Sequence, residues 1–201
     1  MSESVELFLF LEPGADPEND RVVQDLGEAE ALLAWVPDGA AAARVASEAV
    51  AAGVKLIELY RGFDLASAGQ VVDAVDGRVA VGVAAFGFGT STAHPIRDSA
   101  TIFVGHPSAD PARHRVVREH AGGGKTTAVS VPDSRTAVTV ARQLVDDGAE
   151  VIEICGGTSL RVARDVAAAV GDRVPVSLVA WPVDSIERAA AFKAEFEAED
   201  A

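Results

Sequence analysis

The sequence predicts a parallel α/β fold, most economically an eight-stranded (β/α)8 TIM-like barrel built from two repeated half-barrels. Residues 36–86 align without gaps onto residues 131–181, which indicates an internal duplication. Short apolar segments alternate with helical patterns, giving eight strands and about seven helices. Strands separated by helices form parallel sheets through right-handed crossovers. Two separate open α/β units packed face to face are the alternative.

The first copy begins with an apolar segment at residues 5–11, typical of a buried strand, which Pro13 and Gly14 end. Asp16 is a typical helix N-cap residue and is followed by Pro17, which suits the first helical position. A short helix is therefore predicted over residues 17–25. The remaining elements predicted for this copy are strands at 31–36, 54–60 and 79–86 and helices at 38–52 and 64–75.

The joint between the copies is predicted at residues 87–99, which are rich in Gly, Ser, Thr and Pro and have no periodicity. The second copy repeats the order, with strands at 101–105, 126–131, 149–154 and 174–180 and helices from Pro111, at 134–147 and at 160–170. A capping-box pattern then starts a terminal helix at 184–199. We predict one domain over 1–201, with the repeats at 5–86 and 100–181.

Two motifs occur in both copies. The segment 107–115 reads PSADPARHR and the segment 151–157 reads VIEICGG, whereas the matching segments 13–21 and 56–62 read PGADPENDR and LIELYRG. These motifs resemble a small bacterial family of unknown function whose members are usually one such unit long. The resemblance covers nearly the whole chain as two fused copies, of which the second keeps the pattern better. It implies no particular activity.

Composition narrows the classes of partner. Hydrophobic residues make up 49% and charged residues 24%, which is typical of a folded protein. The formal net charge of −14 argues against nucleic acid and membrane surfaces, because phosphate binding needs a basic field. A single cysteine forms no intrachain disulfide, and no apolar run reaches the roughly 18 residues that cross a bilayer. We expect a cytoplasmic monomer or homodimer.

Each copy carries one glutamate in an apolar strand. Strand alternation places Ile57 and Leu59 under the helices and Glu58 on the opposite face, and Glu153 likewise. A carboxylate in the interior needs a partner, because desolvation disfavours its charged form. That partner could be an arginine, a metal or a proton of the substrate. The candidate arginines are Arg21 and Arg78 in the first copy and Arg115 and Arg173 in the second.

A turn that could bind an anion follows Glu153. The loop after the seventh strand of many barrels holds phosphate with glycine N–H groups and a helix N-terminus. Arg61 in the first copy and Arg115 in the second could add contacts to the anion. The alternative is that the glycines only allow a tight turn. The residues of this turn are Gly156, Gly157, Thr158 and Ser159.

Two histidines are expected near the same end of the barrel. His106 ends the fifth predicted strand, and His114 lies one turn into the following helix, close to Glu153 and Cys155. Their spacing matches no known metal-ligand motif, so we predict no metal and no cofactor. Cys155 could act as a nucleophile with either histidine as base, or it could be a buried small residue.

These features predict a small barrel enzyme of the isomerase or lyase type, acting by proton transfer on a small anionic or phosphorylated metabolite. The alternative is a non-catalytic binding or assembly module whose fused copies replace a homodimer. An enzyme needs an accessible Glu153, whereas a structural carboxylate is buried. The candidate catalytic residues are Glu153, Glu58, His114 and Cys155. The candidate substrate-binding residues are Arg115, Arg21, Arg61, Gly156, Gly157, Thr158, Ser159 and His106.

Overall fold

The structure is a computed structural model that describes residues 6–25, 30–86, 96–105 and 107–199. The chain divides into two compact units. The first unit comprises residues 1–23, 29–83 and 180–201, and the second comprises residues 24–28 and 84–179.

The first unit has a helix-covered sheet with the strand order β2-β3-β1-β4-β5. Strand β1 is parallel to both β3 and β4, and β4 is parallel to β5. The elements are β1 (Glu6–Leu11), β2 (Arg21–Asp25), β3 (Glu30–Val36), α1 (Gly39–Ala51), β4 (Leu56–Tyr60), α2 (Leu65–Val75) and β5 (Ala80–Phe86).

Helices α1 and α2 pack together on one face of this sheet. Asp38 caps α1 by accepting a hydrogen bond from the Ala41 N–H at 2.8 Å. The helices approach so closely at Gly39 that a Cβ there would lie 2.8 Å from the Ser67 side chain. Their apolar stripes and one face of β1, β3 and β4 form a single buried cluster, which includes Leu9.

The second unit has the strand order β10-β9-β6-β8-β7. All neighbouring pairs are parallel except β7, which is antiparallel to β8. Helices α3 and α4 cover one face and form the second apolar cluster with it. The elements are β6 (Ser99–Val104), β7 (Arg115–Glu119), β8 (Lys125–Val131), α3 (Ser134–Asp146), β9 (Val151–Ile154), α4 (Leu160–Val170) and β10 (Val176–Ala180).

The chain ends in helix α5 (Ile186–Glu199), which belongs to the first unit. The Val81 N–H donates to the Ser185 hydroxyl at 3.1 Å just before this helix. Farther along, Lys55 pairs with Glu195 at 2.6 Å. In the described part of the chain, no helix is both long and apolar enough to cross a membrane.

The predicted parallel eight-stranded (β/α)8 barrel is wrong. Each unit contributes five strands in a row, and one pair of the second unit is antiparallel. This order is compatible with the alternative of two α/β units. The error lies where helices were predicted over residues 17–25 and from Pro111, because those segments form a single turn followed by β2 and β7.

The physical reason is the sequence that follows each Asp-Pro pair. Asp16 accepts a hydrogen bond from the Glu18 N–H at 3.1 Å, as at a helix start. The next residues, at 21–23 and 115–117, each read RVV, and paired valines favour a strand. The other predicted helices and strands are found within a few residues of the expected bounds. Residues 87–95 of the predicted joint lie outside the described residues.

Candidate functional site

Glu58 and Glu153 lie on the equivalent strands β4 and β9, on the sheet face opposite the helices. The residues on either side of each glutamate belong to the helix-covered apolar clusters, so the alternation inferred from the sequence is confirmed. Both glutamates are completely buried, at 0% exposure.

Aromatic rings fill the environment of Glu58. The Tyr60 hydroxyl donates a hydrogen bond to Glu58 Oε2, and Phe8 of β1 lies opposite Glu58 in the strand register. The Phe10 ring stacks on Trp35 with a centroid separation of 5.1 Å and on Tyr60 at 5.3 Å. A hydroxyl donor and tightly packed rings therefore hold this carboxylate, which is the arrangement of a structural group.

A second acid, Glu6, lies on the same face two residues before Phe8 on β1. Burial, reinforced by repulsion from the Glu58 carboxylate, raises the pKa of Glu6 to about 8. At neutral pH the Glu6 carboxyl is therefore mostly protonated, so it adds little negative charge beside Glu58.

Small hydroxyl side chains flank Glu153. Thr101 of β6 and Ser177 of β10 are its direct neighbours in the strand registers. Both are buried, as is Ser130 on β8. The hydroxyl oxygens of Thr101, Ser177 and Ser130 have no hydrogen-bond partner among the described residues.

The strand registers identify which residues of the two units are equivalent. Around the glutamate that both copies share, the first unit has three aromatic rings and a glycine, whereas the second has hydroxyl or thiol side chains. The equivalent pairs are Phe8 and Thr101, Trp35 and Ser130, Tyr60 and Cys155, and Gly82 and Ser177. At these sheet positions the second unit thus has small hydroxyl or thiol side chains where the first unit has mostly large aromatic ones.

The turn after β9 leads into α4. Ser159 is the N-cap residue of α4, and its hydroxyl accepts from the Val162 N–H at 3.4 Å. Thr158 is buried, and its hydroxyl has no hydrogen-bond partner among the described residues. Cys155 is buried, and its Sγ lies 4.0 Å from where a Cβ on Gly157 would be.

A cleft of about 680 Å³ opens at the first turn of α4. Arg164 on its wall is held by Asp165 at 2.6 Å, and Leu160 is 73% exposed. The residues that line the cleft are Ser159, Leu160, Arg161 and Arg164. Sequence reasoning found Ser159 but missed both arginines. The sequence does indicate them, because Arg161 and Arg164 follow the cap residue and are three residues apart. That spacing places both on the same face of the helix, near its start.

The predicted arginine partners make other contacts. Arg21 donates to the Pro17 carbonyl at 2.7 Å, and Arg78 donates to the Val75 carbonyl at 2.8 Å. Arg173 pairs with Asp146 at 2.6 Å. Arg115 lies on the edge strand β7, opposite Val129 of β8.

Arg61 occupies the turn after β4, at the position that Gly156 has in the second unit. Its backbone has φ of 69°, a left-handed conformation that is uncommon for a residue with a side chain. The side chain is buried, and its Nε donates to the Leu11 carbonyl at 2.9 Å. Arg61 therefore binds the end of β1.

His114 closes the loop that precedes β7. Its Nδ1 accepts a hydrogen bond from the Asp110 N–H at 2.9 Å, and in the first unit Asp20 accepts from the Asp16 N–H at 2.8 Å. The two copies thus close the same turn with different acceptors. His106 lies outside the described residues. Among the residues that are described, no group of three His, Cys, Asp or Glu side chains could hold a metal ion.

The fold and its sites define a tandem α/β protein in which two copies of one unit enclose a buried glutamate in different surroundings. The chain belongs to a family of unknown function (DUF6506), whose model matches residues 5–94 and again residues 97–194. The two matches confirm the duplication and the family resemblance seen in the sequence. A search of curated proteins gives no match.

Proposed function

We propose that this protein is a non-catalytic binding module that holds a small anionic metabolite at the start of α4. The observation that carries the proposal is the cleft at that helix start, with Arg161 and Arg164 on its wall. The first N–H groups of a helix have no intrahelical partner, and the helix dipole makes this end partly positive. Anions bind at such ends, and arginine adds charge and paired donors.

The first unit supports this assignment by contrast. Helix α2 is capped by Asp64, which accepts from the Ser67 N–H at 2.7 Å. Hydrogen bonds from the Ser67 backbone and side chain lower the pKa of Asp64, so that cap is negatively charged at neutral pH. The equivalents of the two cleft arginines are Ala66 and Gly69. The α2 end therefore repels an anion where the α4 end, with its neutral Ser159 cap, attracts one.

Burial favours binding over proton transfer. A general base must come within hydrogen-bond reach of its substrate, but Glu153 and Glu58 are completely enclosed. The isomerase and lyase hypothesis also depended on the barrel fold, which is not present. The compartment we propose remains the cytoplasm, on the ground of a sequence with one cysteine, the buried Cys155.

Thermal melting with inorganic phosphate and with a small sugar phosphate tests the proposal. A ligand at about 100 times its dissociation constant stabilises a protein by roughly 2.7 kcal/mol. We expect the melting temperature of the wild-type protein to rise with at least one of these anions. Ser159→Asp copies the cap of the first unit, so it should retain the helix and abolish the rise.

Arg161→Ala should weaken the same response, and Arg44→Ala is the matched control. Arg44 lies on α1 in an exposed pair with Glu48 at 3.9 Å, so its loss changes the net charge equally without touching the cleft. The proposal fails if no anion raises the melting temperature. It also fails if Ser159→Asp and Arg161→Ala respond as the wild type does.

A further inference from the structure

The cleft at the start of α4 offers more apolar surface than an inorganic anion can use. Leu160, the first residue of the helix, is 73% exposed and lies on the wall of the cleft. Arg161 and Arg164 also line the wall, and arginine side chains have apolar stems. The volume of about 680 Å³ is in the range of pockets that hold small organic molecules. A ligand that fills this cleft therefore needs an apolar body as well as a charged group.

The two arginines of the cleft differ in how their charge is balanced. The Arg164 guanidinium donates twice to Oδ1 of Asp165, from Nε at 3.0 Å and from Nη2 at 2.6 Å. Arg161 is exposed and forms no ion pair with any residue that the structure describes. A guanidinium binds a carboxylate through two parallel hydrogen bonds. One unbalanced arginine therefore suits a single negative charge better than the two charges of a phosphate monoester.

We propose that the anion of this cleft is an aliphatic monocarboxylate, whose carboxylate binds Arg161 and whose hydrocarbon chain lies against Leu160. The inference rests on the proposed function, because it names the ligand class of the same site. The first unit lacks the cationic part of such a site, since the equivalents of Arg161 and Arg164 are Ala66 and Gly69. One carboxylate is therefore expected to bind to each chain.

Calorimetric titration of the full chain with straight-chain carboxylates tests the inference. Sodium acetate, butanoate, hexanoate and octanoate are compared at one ionic strength. Inorganic phosphate supplies charge without a hydrocarbon chain, and hexanol supplies the chain without the charge. We expect the dissociation constant of the carboxylates to fall by up to about fourfold for each added methylene group that the cleft covers. Phosphate and hexanol should both bind more weakly than hexanoate.

Two variants separate the apolar contact from the charge. Leu160→Gln keeps a long side chain of similar helix propensity and removes its apolar surface, so it should abolish the dependence on chain length. Val183→Thr is the matched control, because Val183 is 87% exposed and does not line the cleft. Asp165→Asn releases the Arg164 guanidinium, so it should raise the affinity for phosphate more than the affinity for hexanoate.

Some results would overturn this inference and leave the proposed function intact. These are equal binding of phosphate and all four carboxylates, a dependence on chain length that persists in Leu160→Gln, and no gain for phosphate in Asp165→Asn. Loss of the chain-length dependence in Val183→Thr would equally contradict the inference. If hexanol binds as tightly as hexanoate, or if no anion binds at all, the proposed function fails and the inference fails with it.

Discussion

The two units share one fold but treat the same buried carboxylate in different ways. In the first unit, Glu58 accepts a hydrogen bond from Tyr60 and lies among aromatic rings. In the second, Glu153 lies between Thr101 and Ser177. The difference shows that one sheet position can hold a buried glutamate among aromatic rings in one copy and beside small hydroxyl side chains in the other.

The largest difference between the units is expected in the loss of stability when Trp35 or its equivalent, Ser130, is replaced by alanine. Trp35→Ala removes a buried ring that stacks on Phe10, and we expect a loss of about 3–5 kcal/mol in the free energy of unfolding. Ser130→Ala removes only a buried hydroxyl without a partner in the described structure, so stability should stay within about 0.5 kcal/mol or rise. Urea denaturation measures both, and equal losses would contradict the comparison.

The second largest difference is expected in how stability depends on pH. Glu6 titrates, whereas its equivalent in the second unit, Ser99, does not. The pKa of Glu6 is about 8 in the folded protein against a reference of 4.5, so the folded state binds the proton more tightly. Its stabilising contribution is complete below pH 4.5 and is lost as the pH rises to 8. Between these pH values the free energy of unfolding falls by up to about 1.4 kcal/mol per pH unit, which amounts to a few kcal/mol in all.

Glu6→Gln tests this prediction by urea denaturation at a series of pH values between 4.5 and 8. The variant should lose the decline, because its side chain does not titrate. The acids with lowered pKa values, Asp16, Asp64 and Asp133, act in a separate window. They lose their contributions only as the pH falls through their folded pKa values. An unchanged slope in Glu6→Gln would assign the decline to another group.

Removing one hydroxyl sharpens the comparison at Tyr60. Tyr60→Phe keeps the ring stack and deletes the donor to the buried Glu58, and we expect a loss of about 1.5–3 kcal/mol. The equivalent change in the second unit, Cys155→Ala, should cost about 1 kcal/mol or less. Chemical denaturation of both variants measures the difference. A neutral Tyr60→Phe would mean that packing alone holds Glu58.

The smallest effect is expected at His114. His114→Asp introduces the residue of the first copy, which closes the same turn, so stability should change by less than about 0.5 kcal/mol. His114→Ala removes the acceptor of the Asp110 N–H and should cost about 1 kcal/mol. If the aspartate variant is as unstable as the alanine variant, His114 has a role beyond closing the loop.

The Asp-Pro motif shows why part of the fold could not be predicted. The hydrogen bond from the Glu18 N–H to Asp16 is a true helix-start contact, but the helix predicted over residues 17–25 stops after one turn. Whether the turn continues as a helix depends on what pairs with the following residues. In the second unit, Val117 pairs with Thr127 of β8 across an antiparallel ladder. The only local indication of this pairing in the sequence is the two adjacent valines, which favour a strand.

The residues of the candidate site were likewise only partly predictable from the sequence. Ser159 and the preceding turn were predictable, because capping residues and glycines act within one turn of the chain. The two cleft arginines were overlooked, although their helical spacing was visible. The role of His114 as a loop acceptor was not predictable, since the helix expected around it does not form.

By itself, the sequence determined the duplication, the bounds of α1 to α4, and the sheet face on which Glu58 and Glu153 lie. These features follow from periodicity and capping, which act between residues close together in the chain. Only the tertiary structure decided the strand order, the antiparallel edge of the second unit, and the meeting of Thr101, Glu153 and Ser177. Those depend on backbone hydrogen bonds between distant segments, and every residue type except proline offers the same N–H and C=O groups for them.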